Sequence, residues 1–434
     1  MPTLAVLLVA AAIQPTVAVV PQVEPAGGAV GLVVPDAGPR TSEARARASL
    51  LCGEVVNVLR DRQPRCAQPL VRVVRGPARI VAELPKGGLQ PNDRRYPIAL
   101  HGAHGLLTSD STRIPGLVSI ADIGRGRLRT VAAAHPAAYL RRLDERITEN
   151  AYARIRAALL IAGILAFLAL VAPRAAVAGF VAVLAANLAL GAAGVSSFPA
   201  VMVTFGLAAA VGGPLLARLP LVPLSLAIVT AYLGALAADG TWIALSPLGP
   251  SQNGRFFGLS NLLETLLLVP ALVGSSRRVT FLPGATLAIV TVAGSPFGAD
   301  GGGAVVLCVA YAVLAIYLFG LPLAIPAATA VVAAAALAIV IGPSTHVTSA
   351  GGGAFADRIQ LSLERLADGW LSAAVTAASV AVLAFLVLRG PRRPLSLALA
   401  AAIATSLVVN DSPSEVALGG LVGYLTLWRY DSPG

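Results

Sequence analysis

Few residues in this sequence can do chemistry, and most of those sit in short polar breaks between long apolar runs. The first break is residues 249–264, GPSQNGRFFGLSNLLE. A Gly/Pro loop there delivers Asn253 and Arg255, and a helix then opens with Ser260, Asn261 and Glu264. The i,i+3 spacing of Asn261 and Glu264, with Ser260 four before Glu264, puts all three on one helix face. Glu264 falls one to two turns inside an apolar run, where a carboxylate is costly unless it is paired. Its possible uses are a pair with Arg255, a bound cation or an exchanged proton; the plainer reading is a structural Arg–Glu or Asn–Glu clamp.

The second break, GSPFGADGGGAVV at 294–306, places Asp300, Gly301 and Gly302 at a helix start. Glycines there can offer backbone N–H groups to an anion; equally, Asp300 can serve as the N-cap while the glycines admit a close neighbour. The spacing matches neither a Walker loop nor a dinucleotide fingerprint. In the third break, NDSPSE at 410–415, Ser412, Pro413 and Glu415 read as an N-cap, a first-turn proline and the far member of a capping box. Capping leaves Asn410 and Asp411 unexplained, at a helix end where negative charge is unfavourable. Asn253, Arg255, Asn261, Glu264, Asp300, Gly301, Gly302, Asn410 and Asp411 therefore form the expected substrate-binding set, with no catalytic residue assigned. As an alternative, Asp300, Asp411, Asn261 and Glu264 would offer oxygen ligands to a divalent cation, with Arg255 holding a phosphate.

The elements that must position these residues follow from composition. The chain has 434 residues, 56% of them hydrophobic and 12% charged; soluble domains carry about 25% charged residues. Residues 1–156 hold 21 of the 32 Lys and Arg and 12 of the 21 Asp and Glu, so most of the net charge of +11 lies there. That distribution is a topology signal and gives no nucleic-acid footprint. Lys86 is the only lysine, an arginine bias that points to a bacterial, GC-rich source. From residue 157 onward eleven apolar segments of helical length follow, at 157–173, 175–191, 199–217, 219–236, 258–274, 279–293, 302–319, 322–342, 370–388, 394–410 and 415–429. None alternates as a strand would, so the expectation is a mainly α, polytopic helical bundle of about eleven helices.

Loop charge orients that bundle. With the first segment running inward, the inner connections hold Arg174, Arg218, Arg277, Arg278, Arg389, Arg392, Arg393 and Arg429, and the outer ones only Arg255, Arg358 and Arg365. Asp239, Asp300, Asp357, Glu364, Asp368, Asp411 and Glu415 all fall on the outer side. The outer connection 343–370 ends in an amphipathic stretch suited to a helix resting on the bilayer surface. Residues 1–20 read as a signal peptide or N-terminal anchor, with a small-residue exit around Thr16 to Ala18. Residues 21–150 read as a small exported α/β domain, with strands at 28–35, 71–84, 96–102 and 116–123 and helices at 42–60 and 136–156; residues 151–434 form the membrane domain. Cys52 and Cys66 lie in a compartment that permits a disulfide, the alternative being two small buried thiols. Cys308 reads as packing within a membrane helix.

Two resemblances add to this reading. The stretch YPIALHGAHGLLTSDSTRIPGLVSIADI at 96–123 resembles the closing part of alkaline-phosphatase-superfamily domains. That superfamily implies a Ser/Thr nucleophile and clustered metal ligands; only Asp36, His101, His104 and Asp122 are candidates, so a degenerate or truncated, noncatalytic domain is implied. His101 and His104 have a spacing that zinc accepts, without a third ligand in view. The motifs GRFFGLSN with Glu264, GADGGG and NDSP resemble those of uncharacterised bacterial polytopic membrane proteins with a phosphatase-like exported domain, which implies one outward site shared by Arg255, Asn261, Asp300 and Asp411. The expectation is a multi-pass cytoplasmic (inner) membrane protein, its N-terminal domain outside and its C-terminus inside. It would transport or flip an anionic or lipid-linked envelope substrate. The alternatives are a metal-dependent enzyme on a lipid-phosphate or lipid-glycan, and an envelope assembly scaffold.

Overall fold

The computed structural model describes residues 15–23, 28–36, 40–55, 64–250, 257–294, 296–298, 300–322, 369–410 and 413–431. Asn253, Arg255, Asp411, Ser412, the segment 322–342 apart from residue 322, and the amphipathic stretch 355–368 lie outside them. The chain divides into two compact units, one ending at Leu143 and the other beginning at Asp144.

The first unit is α/β. Its strands are β1 (Thr16–Val19), β2 (Gly28–Val34), β3 (Arg40–Thr41), β4 (Arg72–Val74), β5 (Ile80–Ala82), β6 (Gln90–Pro91), β7 (Tyr96–His101), β8 (Leu106–Ser109), β9 (Leu117–Ser119) and β10 (Leu128–Val131). Helices α1 (Glu43–Cys52) and α2 (Ile120–Gly124) interrupt them. The main sheet runs β10-β8-β2-β7-β5-β1-β4, with β9 also on β2. It is mixed: β1 is parallel to β4 and β5, and β7 is antiparallel to β2 and β5. Val17, Ala29, Val33, Ile98, Leu107 and Val118 from the sheet and Ala46, Leu50 and Ile123 from the helices make one core.

Three details differ from the sequence reading. The supposed signal-peptide exit at Thr16 to Ala18 is strand β1, sandwiched between β4 and β5 with Val17 and Ala18 buried; cleavage there would take an inner strand out of the sheet, so the domain begins before residue 21. The run 71–84 is two strands flanking β1, because Gly76 and Pro77 break it. The run 116–123 turns into α2 after Ser119, since its partner β2 ends at Val34, opposite Ser119, and no ladder remains to pair with. Cys52 and Cys66 are joined, with Cα atoms 5.4 Å apart, a separation ordinary for a bridge.

The second unit is helical. Helix α3 (Pro136–Val171), whose residues from Asp144 onward belong to this unit, runs unbroken for 36 residues, so residues 136–156 and the first apolar segment are a single element. There follow α4 (Pro173–Ala193), α5 (Phe198–Leu207), a π-turn (Ala208–Gly212), α6 (Gly213–Leu216), α7 (Leu221–Asp239), α8 (Thr241–Ala244), α9 (Asn261–Gly274), α10 (Arg278–Ala293), α11 (Gly301–Phe319), α12 (Trp370–Arg389), α13 (Pro394–Val409) and α14 (Pro413–Tyr430). The π-turn lies just ahead of Pro214, which has no N–H for the helical ladder. Among the described residues six helices are long and apolar enough to cross a membrane: Pro136–Val171, Pro173–Ala193, Phe198–Leu216, Leu221–Asp239, Gly301–Phe319 and Trp370–Arg389. Asn261–Gly274, Arg278–Ala293 and Pro394–Val409 are apolar but shorter. These are the helices of a membrane protein, and those six spans are fewer than the eleven read from the sequence.

Arginines fasten the ends of these helices. Arg429 donates to the carbonyl of Leu170 (3.3 Å), Arg174 to Ala217 (3.4 Å) and Arg278 to Leu318 (2.8 Å), and Arg393 donates to Trp428. Each acceptor lies at the C-terminal end of a helix, where carbonyls lack intrahelical donors and the dipole is negative.

Candidate functional site

The site is assembled where α9, α11 and α13 meet. Helix α9 starts at Asn261 because Ser260 caps it, accepting from the Leu263 N–H (3.1 Å) while donating to the Leu248 carbonyl (2.6 Å). Every residue from Leu262 to Gly274 is buried, and α9 packs against α4, α7, α10, α11, α13 and α14. It is the axis of the bundle, and its 14 residues span about 21 Å, against about 30 Å of hydrocarbon. Glu264, on its first turn, is 2% exposed.

Opposite Glu264 stands the start of α11. Its turn folds back onto α10, the N–H groups of Gly298 and Asp300 donating to Thr291 and Val292 (3.0 Å each). Asp300 is the N-cap: Oδ1 accepts from Gly302 (2.9 Å) and Gly303 (3.1 Å). Of the two readings of GADGGG, the structure thus presents the cap, and the N–H groups of Gly302 and Gly303 already face a carboxylate. The glycines serve close approach. A Cβ on Gly302 would stand 2.7 Å from Asn410 Oδ1, and one on Gly303 would stand 2.8 Å from Glu264 Oε1.

Asn410 closes the cluster from the end of α13. Its Nδ2 donates to Ser406 Oγ (2.7 Å) and reaches Glu264 Oε2 at 3.5 Å, the long limit of a hydrogen bond. Of the expected set, Glu264, Asp300, Gly302 and Asn410 come together, and Asn261 and Gly301 occupy the first positions of α9 and α11. Beside Glu264 is a cavity of about 10 Å³, otherwise lined by Val229, Leu268, Thr291, Val292 and Leu307 among others. That is about the room one water needs. Among the described residues no three His, Cys, Asp or Glu side chains gather as a metal-binding group.

The broken stretch leading into α9 is held from both sides by residues that motif spacing did not single out. On α3, Arg146 and Asn150 donate to the Leu245 carbonyl (3.0 and 2.9 Å), Arg146 also to Gly191 (2.6 Å), and Arg154 to Gly249 (2.7 Å). Their i,i+4,i+8 spacing in the run from Arg146 to Arg154 is the signal that could have found them. From the other side, buried Asn187 accepts from the Leu248 N–H (3.1 Å) and donates to Ser246 (2.9 Å) and Tyr232 (3.1 Å). Glu415 forms a two-bond pair with Arg154 (3.0 and 2.8 Å), a partner that the capping-box reading did not include.

In the first unit, Asp122 Oδ2 accepts the Ser111 N–H (2.8 Å) and is buried, as is Asp36, whereas His101 and His104 are exposed. No protein-family model, no curated protein and no solved structure matches the chain.

Proposed function

We propose that this is a multi-pass protein of the cytoplasmic membrane that transports or flips an anionic or lipid-linked envelope substrate, with Glu264 as the carboxylate that couples the movement to a proton or cation. In this reading the first unit is exported and the C-terminus is cytoplasmic. The carrying observation is the burial of Glu264 in the first turn of a short central helix, against the start of α11 and the Asn410 carboxamide. A buried carboxylate is expensive unless it is neutralised or paired. Broken helices meeting around such a group are how many transporters build sites at mid-membrane.

The test is reconstitution into phosphatidylethanolamine–phosphatidylglycerol vesicles carrying NBD-phosphatidylglycerol, with dithionite quenching read under an imposed pH gradient. The wild type is expected to expose inner-leaflet probe, and Glu264→Gln to slow this at least about tenfold, the equivalent of 1.4 kcal/mol on the barrier. A Glu264→Gln rate equal to wild type would reject the coupling role.

A further inference from the structure

A second cavity, of about 300 Å³, lies on the opposite side of α9 from Glu264. Its walls come from α3 (Leu159, Ala162), α9 (Leu262, Leu266), α12 (Leu371) and α14 (Leu418), and it is overwhelmingly apolar. We infer that it holds one acyl chain of an anionic phospholipid. The inference rests on the membrane reading above and makes no use of Glu264.

Four observations carry it. The volume is at the lower bound of ligand sites. From Ile155 to Leu165 the α3 wall runs about 15 Å, half the hydrocarbon thickness and so one leaflet. Leu159 and Leu371, from the two facing rims, are 54% and 61% exposed, so the groove opens sideways between α3 and α12, where chains of the surrounding bilayer would lie.

The groove is also polarised. The lining helices α3, α9 and α14 run in one direction: Arg154 pairs with Glu415 near one end and Leu170 with Arg429 near the other. Thr265 and Val269 likewise face Gly419 and Gly423 in step. The starts of α9, α12 and α14 consequently gather at one mouth, with Ser372, Ser414 and Glu415 in the lining and Trp370, 81% exposed, beside it. Arg154 balances the Glu415 carboxylate there and Ser260 already caps α9, leaving the positive ends of α12 and α14 to favour a phosphate. An exposed tryptophan at that level is what a membrane–water boundary selects.

The test uses the full-length protein in phosphatidylethanolamine vesicles containing phosphatidylglycerol with a diazirine at the acyl terminus, irradiated and mapped by peptide mass spectrometry. Adducts are expected on Leu266 and Leu418. Ala162→Phe and Leu418→Trp fill the groove from two walls, and each should lower the Leu266 adduct about tenfold. Adducts on the exposed α10 residues Val279 and Leu282 should stay unchanged, which reports that the variants are folded. A phosphatidylethanolamine probe should label Leu266 severalfold less. The proposal falls if Leu266 labels no better than Val279 per unit of probe, if the filled variants label like wild type, or if both headgroups label alike. Glu264→Gln should label as wild type, so loss of flipping with retained labelling separates failure of this site from failure of the coupling role.

Discussion

Asp300 shows how a charged residue in an apolar setting can be explained without a ligand. One oxygen accepts two N–H groups of its own helix start, which is capping chemistry open equally to asparagine. Asp300→Asn should therefore keep both stability and transport, while Asp300→Ala should lose about 1 kcal/mol in denaturation of the detergent-solubilised protein. If Asp300→Asn abolishes transport without loss of stability, the charge itself is used. Glu264 is placed by a distant part of the chain: its Oε2 meets Asn410, 146 positions away, and Gly303 leaves room for its carboxylate. Residue type alone marked both side chains, since a carboxylate or carboxamide inside an apolar run is conspicuous. Local spacing could not say that they meet, nor that Glu415 reaches back 261 positions to Arg154.

Elements were legible in the membrane half because a helix there satisfies its own backbone and each apolar run declares its length. The short strands of the first unit were harder: β1 has four residues and is recognisable only through its partners β4 and β5, so its apolar character passed for part of a leader. Because Val17 is core, a processed N-terminus must lie upstream of Thr16. Intact-mass measurement of the purified protein should give no chain starting at residues 17–21, and finding one as the main species would contradict the sheet. Val17→Asp should prevent accumulation of the folded protein. The α3 polar column is a second element-level device, fixing non-helical backbone by its carbonyls. Arg154→Ala strips Glu415 of its partner and should cost about 1–3 kcal/mol, less than a fully buried pair because both groups keep some solvent contact. Arg154→Ala with Glu415→Ala should recover part of that loss in the same denaturation series.

At the scale of the whole molecule, the arginines carry two messages with one chemistry. Arg174, Arg278, Arg393 and Arg429 are four of the eight arginines that point to an inner side, and each donates to the terminal carbonyls of a helix. Under the proposed orientation, a guanidinium that orients one segment thereby also closes the open end of another helix. The orientation is tested with the disulfide: Cys52→Ser frees Cys66, which a membrane-impermeant maleimide should label in intact cells, whereas a cysteine introduced at Ser432 should be labelled only after lysis. The reverse pattern would invert the topology.

Helix α9 also dictates the order in which such a chain can be built. Fourteen residues with a carboxylate in the first turn make a poor membrane segment by themselves. With every residue from Leu262 to Gly274 facing protein, α9 has no lipid-facing side on which to wait. It can settle only once its neighbours exist, among them α13 and α14, which leave the ribosome after it. The centre of the bundle is thus completed only after these later helices arrive, and a chain truncated after α12 would lack the surfaces that hold Glu264 in place.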